Sequence, residues 1–377
     1  MTLLLYFSIF YSFVLLLFIV GLLSRSGDFQ SSTTIRSGDV PIANPQKKYI
    51  SIIVACKNEE NNIKQLIDSL STQTYDKEYY EVIIADDGST DGTANLAQSE
   101  LGAGNIQYFL VNPALYPDTV GKKKAIAQAI DISKGQILAF TDADCIPSKD
   151  WLQDINNAFK VCDFYTGYSP LIMESNNIIN TLKNIERASI FAISAGSTYW
   201  GMPLTCTARN MAYLKELWDK VNGFDRVCHL LSGDDDLMLH KLNRHIKRPY
   251  FSFNNDAIVP SVDSQNKQKQ INQETRRASK FIYYPFYIQL LVLLVAVFYC
   301  LLTYHLIASL VGLTFLMDLI IALITKVLIE FTLLFIFLKR FNRLVYMKRF
   351  ILAELLYIPY FLYFGLKGTF GKYTWKS

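Results

Sequence analysis

Glu81-Val82-Ile83-Ile84-Ala85-Asp86-Asp87-Gly88-Ser89-Thr90-Asp91-Gly92-Thr93 (residues 81–93) runs from an apolar β-branched stretch into a dense polar turn and on toward helix-forming sequence. A short continuous apolar run closed by Asp and Gly suits a strand buried on both faces, since neither side then meets water. The turn sets Asp86, Asp87 and Asp91 at the carboxyl end of that strand, where open α/β sheets bind ligands. Two uses fit it. The carboxylates can serve a base or ribose while backbone N–H groups face phosphate, or the turn can simply cap the next helix.

The pattern repeats on either side. Tyr49 to Ala55, Ile106 to Val111 and Gln136 to Thr141 read as strands, and Glu59 to Ser71, Gly92 to Leu101 and Lys122 to Ser133 carry apolar residues near helical spacing. This alternation predicts a parallel sheet wrapped by helices from Tyr49 to about Pro260. Strands ending at Cys56, Asp86 and Asp142 then line one crevice. At the last of them stands Thr141-Asp142-Ala143-Asp144. Carboxylates separated by one residue can converge on a hard cation that bridges phosphate oxygens, though a lone pair of this kind is also frequent by chance.

Of the 377 residues 51% are hydrophobic, above the soluble range of ~45–50%, so part of the chain belongs in lipid. Thr2 to Leu23 has no charge and matches the ~20 residues that cross a bilayer as a helix. A signal peptide fits less well, because there is no basic n-region and no A-x-A site. Residues 1–23 are therefore expected to be a transmembrane helix and the Ser-, Thr-, Gly- and Asn-rich residues 24–48 a flexible linker. Beyond the basic segment Lys267 to Lys280, Tyr284 to Tyr304 is apolar throughout, Ile307 to Leu338 is interrupted by Asp318, Lys326 and Glu330, and Ile351 to Leu366 is short and aromatic. Residues 281–370 thus hold two or three passes, ahead of a basic tail at 371–377. Ionisable groups in lipid are functional candidates, while Lys326 and Glu330, one turn apart, also fit an internal structural pair. Basic residues at Arg25, Lys47, Lys48, Lys267, Arg276, Arg277, Lys280, Lys339, Arg340, Arg343, Lys348 and Arg349 place residues 49–280 on the cytoplasmic side by the positive-inside rule.

Other classes are set aside by composition. The net charge of +4, with no basic and aromatic interleaving, argues against nucleic acid. Six scattered cysteines without CxxC spacing read as reduced thiols, and four histidines without HExxH spacing do not make a zinc site, so any metal must be held by carboxylates. Two further clusters carry chemistry. Ser232-Gly233-Asp234-Asp235-Asp236-Leu237 crowds carboxylates that need a cation nearby or a helix N-terminus to sit on. Gln273-Glu274-Thr275-Arg276-Arg277 can hold a diphosphate or rest on anionic lipid.

In their order, IIVACKNEENNI, VIIADDGSTDGT, GKKKAIAQAI, FTDADC, GFDRVCHLLSGDDDL and QETRRASK resemble the family 2 glycosyltransferases of GT-A fold, in the membrane-bound branch that includes polysaccharide synthases and ceramide glucosyltransferase-like enzymes. The likeness covers Tyr49 to about Lys280 and implies a Rossmann-like mixed sheet wrapped by helices, with transmembrane helices at both ends. It implies that Ala55, Glu59, Asp86 and Asp87 contact the nucleoside, that Lys122 is the basic residue before the DxD, and that Asp142 and Asp144 hold nucleotide and Mg²⁺ or Mn²⁺. Asp234 falls at the position of the catalytic base, with Asp235 beside it. Gln273 and Arg276 match the QxxRW element, in which Arg277 replaces the tryptophan. Cys206 to Tyr213 resembles an acceptor-side segment and equally fits a buried turn.

The resemblance implies an enzyme of the hexosyltransferase type. It would transfer a sugar with inversion from a nucleotide diphosphate sugar, UDP-sugars being the commonest donors, to a lipid or lipid-linked acceptor at the cytoplasmic face of a bacterial cell membrane. Arg277 would favour an anionic headgroup or phosphate linker. The competing readings are a processive polysaccharide synthase, which the missing tryptophan opposes, and a non-catalytic nucleotide-sugar-binding membrane protein, which the retained carboxylates oppose.

Overall fold

The computed structural model describes residues 2–24, 47–99, 105–172, 178–262, 267–312 and 316–370. Most of the expected linker (25–46) and the tail (371–377) lie outside the described residues. Along the chain the elements are α1 (Leu3–Ser24), β1 (Ile50–Cys56), α2 (Ile63–Ser71), β2 (Tyr80–Asp86), α3 (Thr93–Ser99), β3 (Ile106–Leu110), α4 (Lys122–Ile132), β4 (Ile137–Phe140), α5 (Trp151–Ala158) and β5 (Phe164–Gly167). They continue with α6 (Ile178–Tyr199), β6 (Met211–Leu214), α7 (Lys215–Lys220), α8 (Asp236–Leu242), β7 (Pro249–Ser252), α9 (Lys267–Ser279), α10 (Phe286–Leu310), α11 (Leu316–Arg340) and α12 (Phe350–Phe370). These form two compact units.

The α/β unit comprises Gly27–Ile172 and Gly201–Gln265. Its seven-stranded sheet has the order β3-β2-β1-β4-β6-β5-β7, with β6 antiparallel to both neighbours and the other pairings parallel. The sheet is therefore mixed: the first four strands follow the parallel pattern read from the sequence, and β6 departs from it. Alternate residues of each strand feed opposite faces. Ile52, Val54, Val82 and Ile84 pack under α2 and α5, whereas Ile53, Ile83, Leu138 and Phe140 pack on α4 and α8. Both faces are covered, which is why the strands read as unbroken apolar runs.

One boundary differs for a local reason. The helix expected from Glu59 begins at Ile63, because residues 58–60 are spent on the neighbouring loop. Asn58 N donates to Ser89 Oγ at 2.9 Å, Glu59 N to Thr93 Oγ1 at 2.7 Å, and Gly92 N to Glu60 Oε2 at 2.8 Å.

The helical unit gathers Met1–Ser26, Met173–Trp200 and Asn266–Tyr373. Four stretches are long and apolar enough to cross a membrane: Leu3–Ser24, Phe286–Leu310, Leu316–Arg340 and Leu344–Thr369. Three of these follow the α/β sequence, where two or three were expected. α6 falls inside the range 49–280 assigned to one soluble domain, yet it groups with these helices. Its Gly196 meets Gly21 of α1 so closely that a Cβ on Gly21 would stand 2.3 Å from the Gly196 carbonyl oxygen. Backbone contact of this kind is how helices associate where burial of apolar surface gives no drive. Among the same helices, Lys326 pairs with Glu330 at 2.9 Å and with Glu354, and the Tyr11 hydroxyl donates to Glu330 at 2.5 Å. The internal pair foreseen for Lys326 and Glu330 is present, and Glu354 of α12 makes it a triad.

Candidate active site

The carboxyl ends of β1, β2 and β4 carry the polar residues that the sequence singled out. Asp86 closes β2 and is fully buried. Its Oδ1 accepts from Ser89 N at 2.8 Å and Ser89 Oγ at 2.7 Å, and its Oδ2 accepts from Tyr108 Oη at 2.7 Å. With both oxygens committed, Asp86 holds the turn in shape and leaves Asp87 as its outward carboxylate. Burial raises the Asp87 carboxyl above its ordinary value, with Lys57 and Lys124 opposing. Ala55 lies beside them near the end of β1, and Glu59 is held on the adjoining loop, where Asn62 Nδ2 donates to its Oε2 at 2.7 Å.

Lys122 opens α4 and joins two motifs that lie far apart in sequence. Its ammonium is 2.5 Å from Asp142 Oδ1 and 2.7 Å from Asp234 Oδ2. Burial pulls the Lys122 pKa down, but the two carboxylates outweigh it and hold it above the ordinary lysine value. The third cluster is thereby resolved into different tasks. Asp234 faces Lys122, while Asp235 caps α8 by accepting from Asp236 N at 2.8 Å. Gly233 makes this turn possible: its φ is +91°, and a Cβ would collide with Leu237 Cδ1 at 2.3 Å.

One residue outside the sequence-derived set supports this arrangement. Lys123 is fully buried and donates to the carbonyls of Val227, Leu230 and Ser232 at 2.9, 2.6 and 2.6 Å, so it pins the loop that delivers Asp234. In GKKKAIAQAI nothing separates its role from that of Lys122, because adjacent helical positions point to different faces only once the helix is placed. Arg209, also outside that set, sits within the turn Ala208–Asn210 before β6. Its segment had been noted, but not the arginine.

Asp144 lies two residues beyond Asp142, partly exposed at the same strand end. No cluster of three His, Cys, Asp or Glu residues suited to a metal occurs among the described residues. The donor set still fits Mg²⁺ or Mn²⁺, which commonly take one or two carboxylates and complete their shell with phosphate oxygens and water. Gln273, Arg276 and Arg277 belong to α9 in the helical unit. Arg277 is engaged there by Glu274, at 3.0 and 3.2 Å.

Together, the mixed sheet and its strand-end carboxylates define a GT-A-type α/β domain. Residues 51–218 match the profile described as Glycosyl transferase family 2, and the chain carries a domain of that family. Glycosyltransferase AglE of Haloferax volcanii is 35% identical over 106 residues, which cover 28% of this chain and 33% of that protein. A relative in Methanococcus voltae, named a dolichyl N-acetyl-alpha-D-glucosaminyl phosphate 3-beta-D-2,3-diacetamido-2,3-dideoxy-beta-D-glucuronosyltransferase, is 25% identical over 239 residues, covering 60% of this chain and 70% of that one. The mannosyltransferase PcManGT of Pyrobaculum calidifontis, solved with GDP-Man and Mn²⁺, shares the fold at 15% identity and a TM-score of 0.51, over 98% of this chain and 99% of that one.

Proposed function

We propose that this chain is a membrane-anchored glycosyltransferase that moves one sugar from a nucleotide diphosphate sugar, with UDP-sugars the first to test, onto a lipid or lipid-linked acceptor at the cytoplasmic face of a bacterial-type cell membrane. The observation that carries this reading is the bridge from Asp142 through Lys122 to Asp234. It brings a donor-side carboxylate and a candidate base to one point at the strand ends. The Methanococcus relative, named for a dolichyl-linked substrate, supports a lipid-linked acceptor.

In this reading Asp234 accepts the proton of the acceptor hydroxyl, a contribution of ~10²–10⁴ in rate. Asp142 and Asp144 hold Mg²⁺ or Mn²⁺, which when bound supplies positive charge to the diphosphate as it departs. Lys122 adds a fixed positive charge beside both carboxylates. Asp87, Glu59 and Ala55 line the nucleoside side, with Asp86 shaping their turn. Gln273, Arg276 and Arg277 are assigned to the donor through the resemblance of their motif. The four apolar helices support a membrane setting. The basic residues at their ends support the cytoplasmic orientation.

The test is transfer from a panel of radiolabelled nucleotide sugars by membranes containing the protein, followed by lipid extraction. A product in the organic phase with one added sugar is expected. A water-soluble, polydisperse product would make the protein a processive synthase, and donor binding without transfer under every condition would make it a binding protein.

A further inference from the structure

Arg209 is a buried cation that the site described above leaves without a task. It sits in the turn Ala208–Asn210 leading into β6. β6 runs antiparallel to β4, and the turn packs against β4, just beyond whose carboxyl end stand Asp142 and Asp144. The turn is anchored. Asn210 Nδ2 donates to the carbonyls of Tyr168 and Ala257 at 3.2 and 3.1 Å, and Asn210 Oδ1 accepts from Trp151 Nε1 at 2.9 Å.

The side chain is not similarly satisfied. Arg209 is 9% exposed, its Nε has no hydrogen-bond acceptor, and it forms no ion pair among the described residues. A guanidinium cannot shed its proton, so withdrawing it from water requires an anion. Of the strand-end carboxylates, Asp142 is already bound by Lys122. The missing negative charge must then arrive with a ligand, and the planar fork of arginine fits two oxygens of a phosphate.

We propose that Arg209 is a phosphate-binding residue of the strand-end site, holding an oxyanion of the donor's diphosphate or of a phosphate in the acceptor. The identity of the anion rests on the glycosyl-transfer reading; the demand for an anion rests on the burial of Arg209. The test uses the full chain in detergent with Mn²⁺ and compares wild type, Arg209→Met and Arg209→Lys for binding of UDP, GDP, inorganic pyrophosphate, a long-chain polyprenyl phosphate and the matching polyprenol. Arg209→Met should weaken at least one phosphate probe by roughly 10–100-fold, the usual worth of a charge-assisted contact, leave the polyprenol and the melting temperature unchanged, and be partly rescued in Arg209→Lys. Loss with UDP, GDP or pyrophosphate identifies the donor as the source, and loss confined to the polyprenyl phosphate identifies the acceptor. If Arg209→Met does not fold, the lysine variant decides, since it keeps the charge and loses the fork. Wild-type affinity for every phosphate probe in the variants, or no binding of any by the wild type, overturns the assignment. A wild type that binds pyrophosphate through Arg209 but no nucleotide would sink the transfer reading and leave this one standing.

Discussion

The Lys122 ammonium lies 2.7 Å from Asp234 Oδ2, across more than a hundred residues of sequence, while the adjacent Asp235 turns away to cap α8. Neighbouring carboxylates therefore have separable tasks. Asp234→Asn should bind donor nearly as wild type and lose turnover by ~10²–10⁴, since amide for acid keeps size and removes the proton acceptor. Asp235→Ala should instead cost about 0.5–2 kcal/mol of stability through the lost cap and keep most of its turnover. Melting curves and single-turnover kinetics on both variants check this; equal kinetic loss in the two would refute the division.

Asp144 is partly exposed and lies beyond the end of β4, so Asp144→Ala should fold normally. Transfer should fall by ~100-fold or more, because a hard oxygen ligand to the diphosphate-bound cation is gone. Full activity of the wild type in EDTA would remove the metal from the scheme.

Glu186, on α6, is pushed up to about 7, first by burial and then by Glu274, with Arg277, Arg187 and the Tyr360 hydroxyl opposing. A carboxyl whose folded pKa lies above its unfolded value binds more protons in the native state. Its contribution is thus intact below the unfolded value of 4.5 and is lost as pH rises toward about 7. Glu186→Gln should therefore be more stable than wild type above neutrality, by at most on the order of 3 kcal/mol, with the gap closing in acid. Thermal unfolding from acid to mildly alkaline pH measures it, and a gap that widens in acid would reverse the sign.

Lys326 is only 2% exposed and neutralises Glu330 and Glu354 where no water can. Removing one partner of a buried ionic group leaves the others uncompensated, so Lys326→Met should cost about 3–5 kcal/mol. The combined variant Lys326→Met, Glu330→Gln, Glu354→Gln should recover much of that, because the stranded charge goes with it. Unfolding in detergent micelles provides the comparison; no recovery would mean that the triad acts through shape rather than charge.

Local pattern was enough for the first four strands, the helices between them and the membrane-length segments, since unbroken apolar runs, helical spacing and long uncharged stretches are properties of neighbouring residues. It also marked Asp142, Asp144 and the Asp234 to Asp236 run as chemically loaded. What it could not supply was pairing between distant segments. That Lys122 rather than Lys123 meets the carboxylates follows from the placement of α4 against the loop before α8. The split between Asp234 and Asp235 depends on a left-handed glycine one residue earlier. Asp86, expected at the nucleoside, also accepts from Ser89 and Tyr108, the tyrosine coming from another strand. α6 shows no membrane-length apolar run, and its packing on α1, α11 and α12 places it with the helical unit. Arg209 was one basic residue in an ordinary turn until the pairing of β6 with β4 brought that turn against the strand end, since pairing is a relation between strands and neither strand encodes it alone.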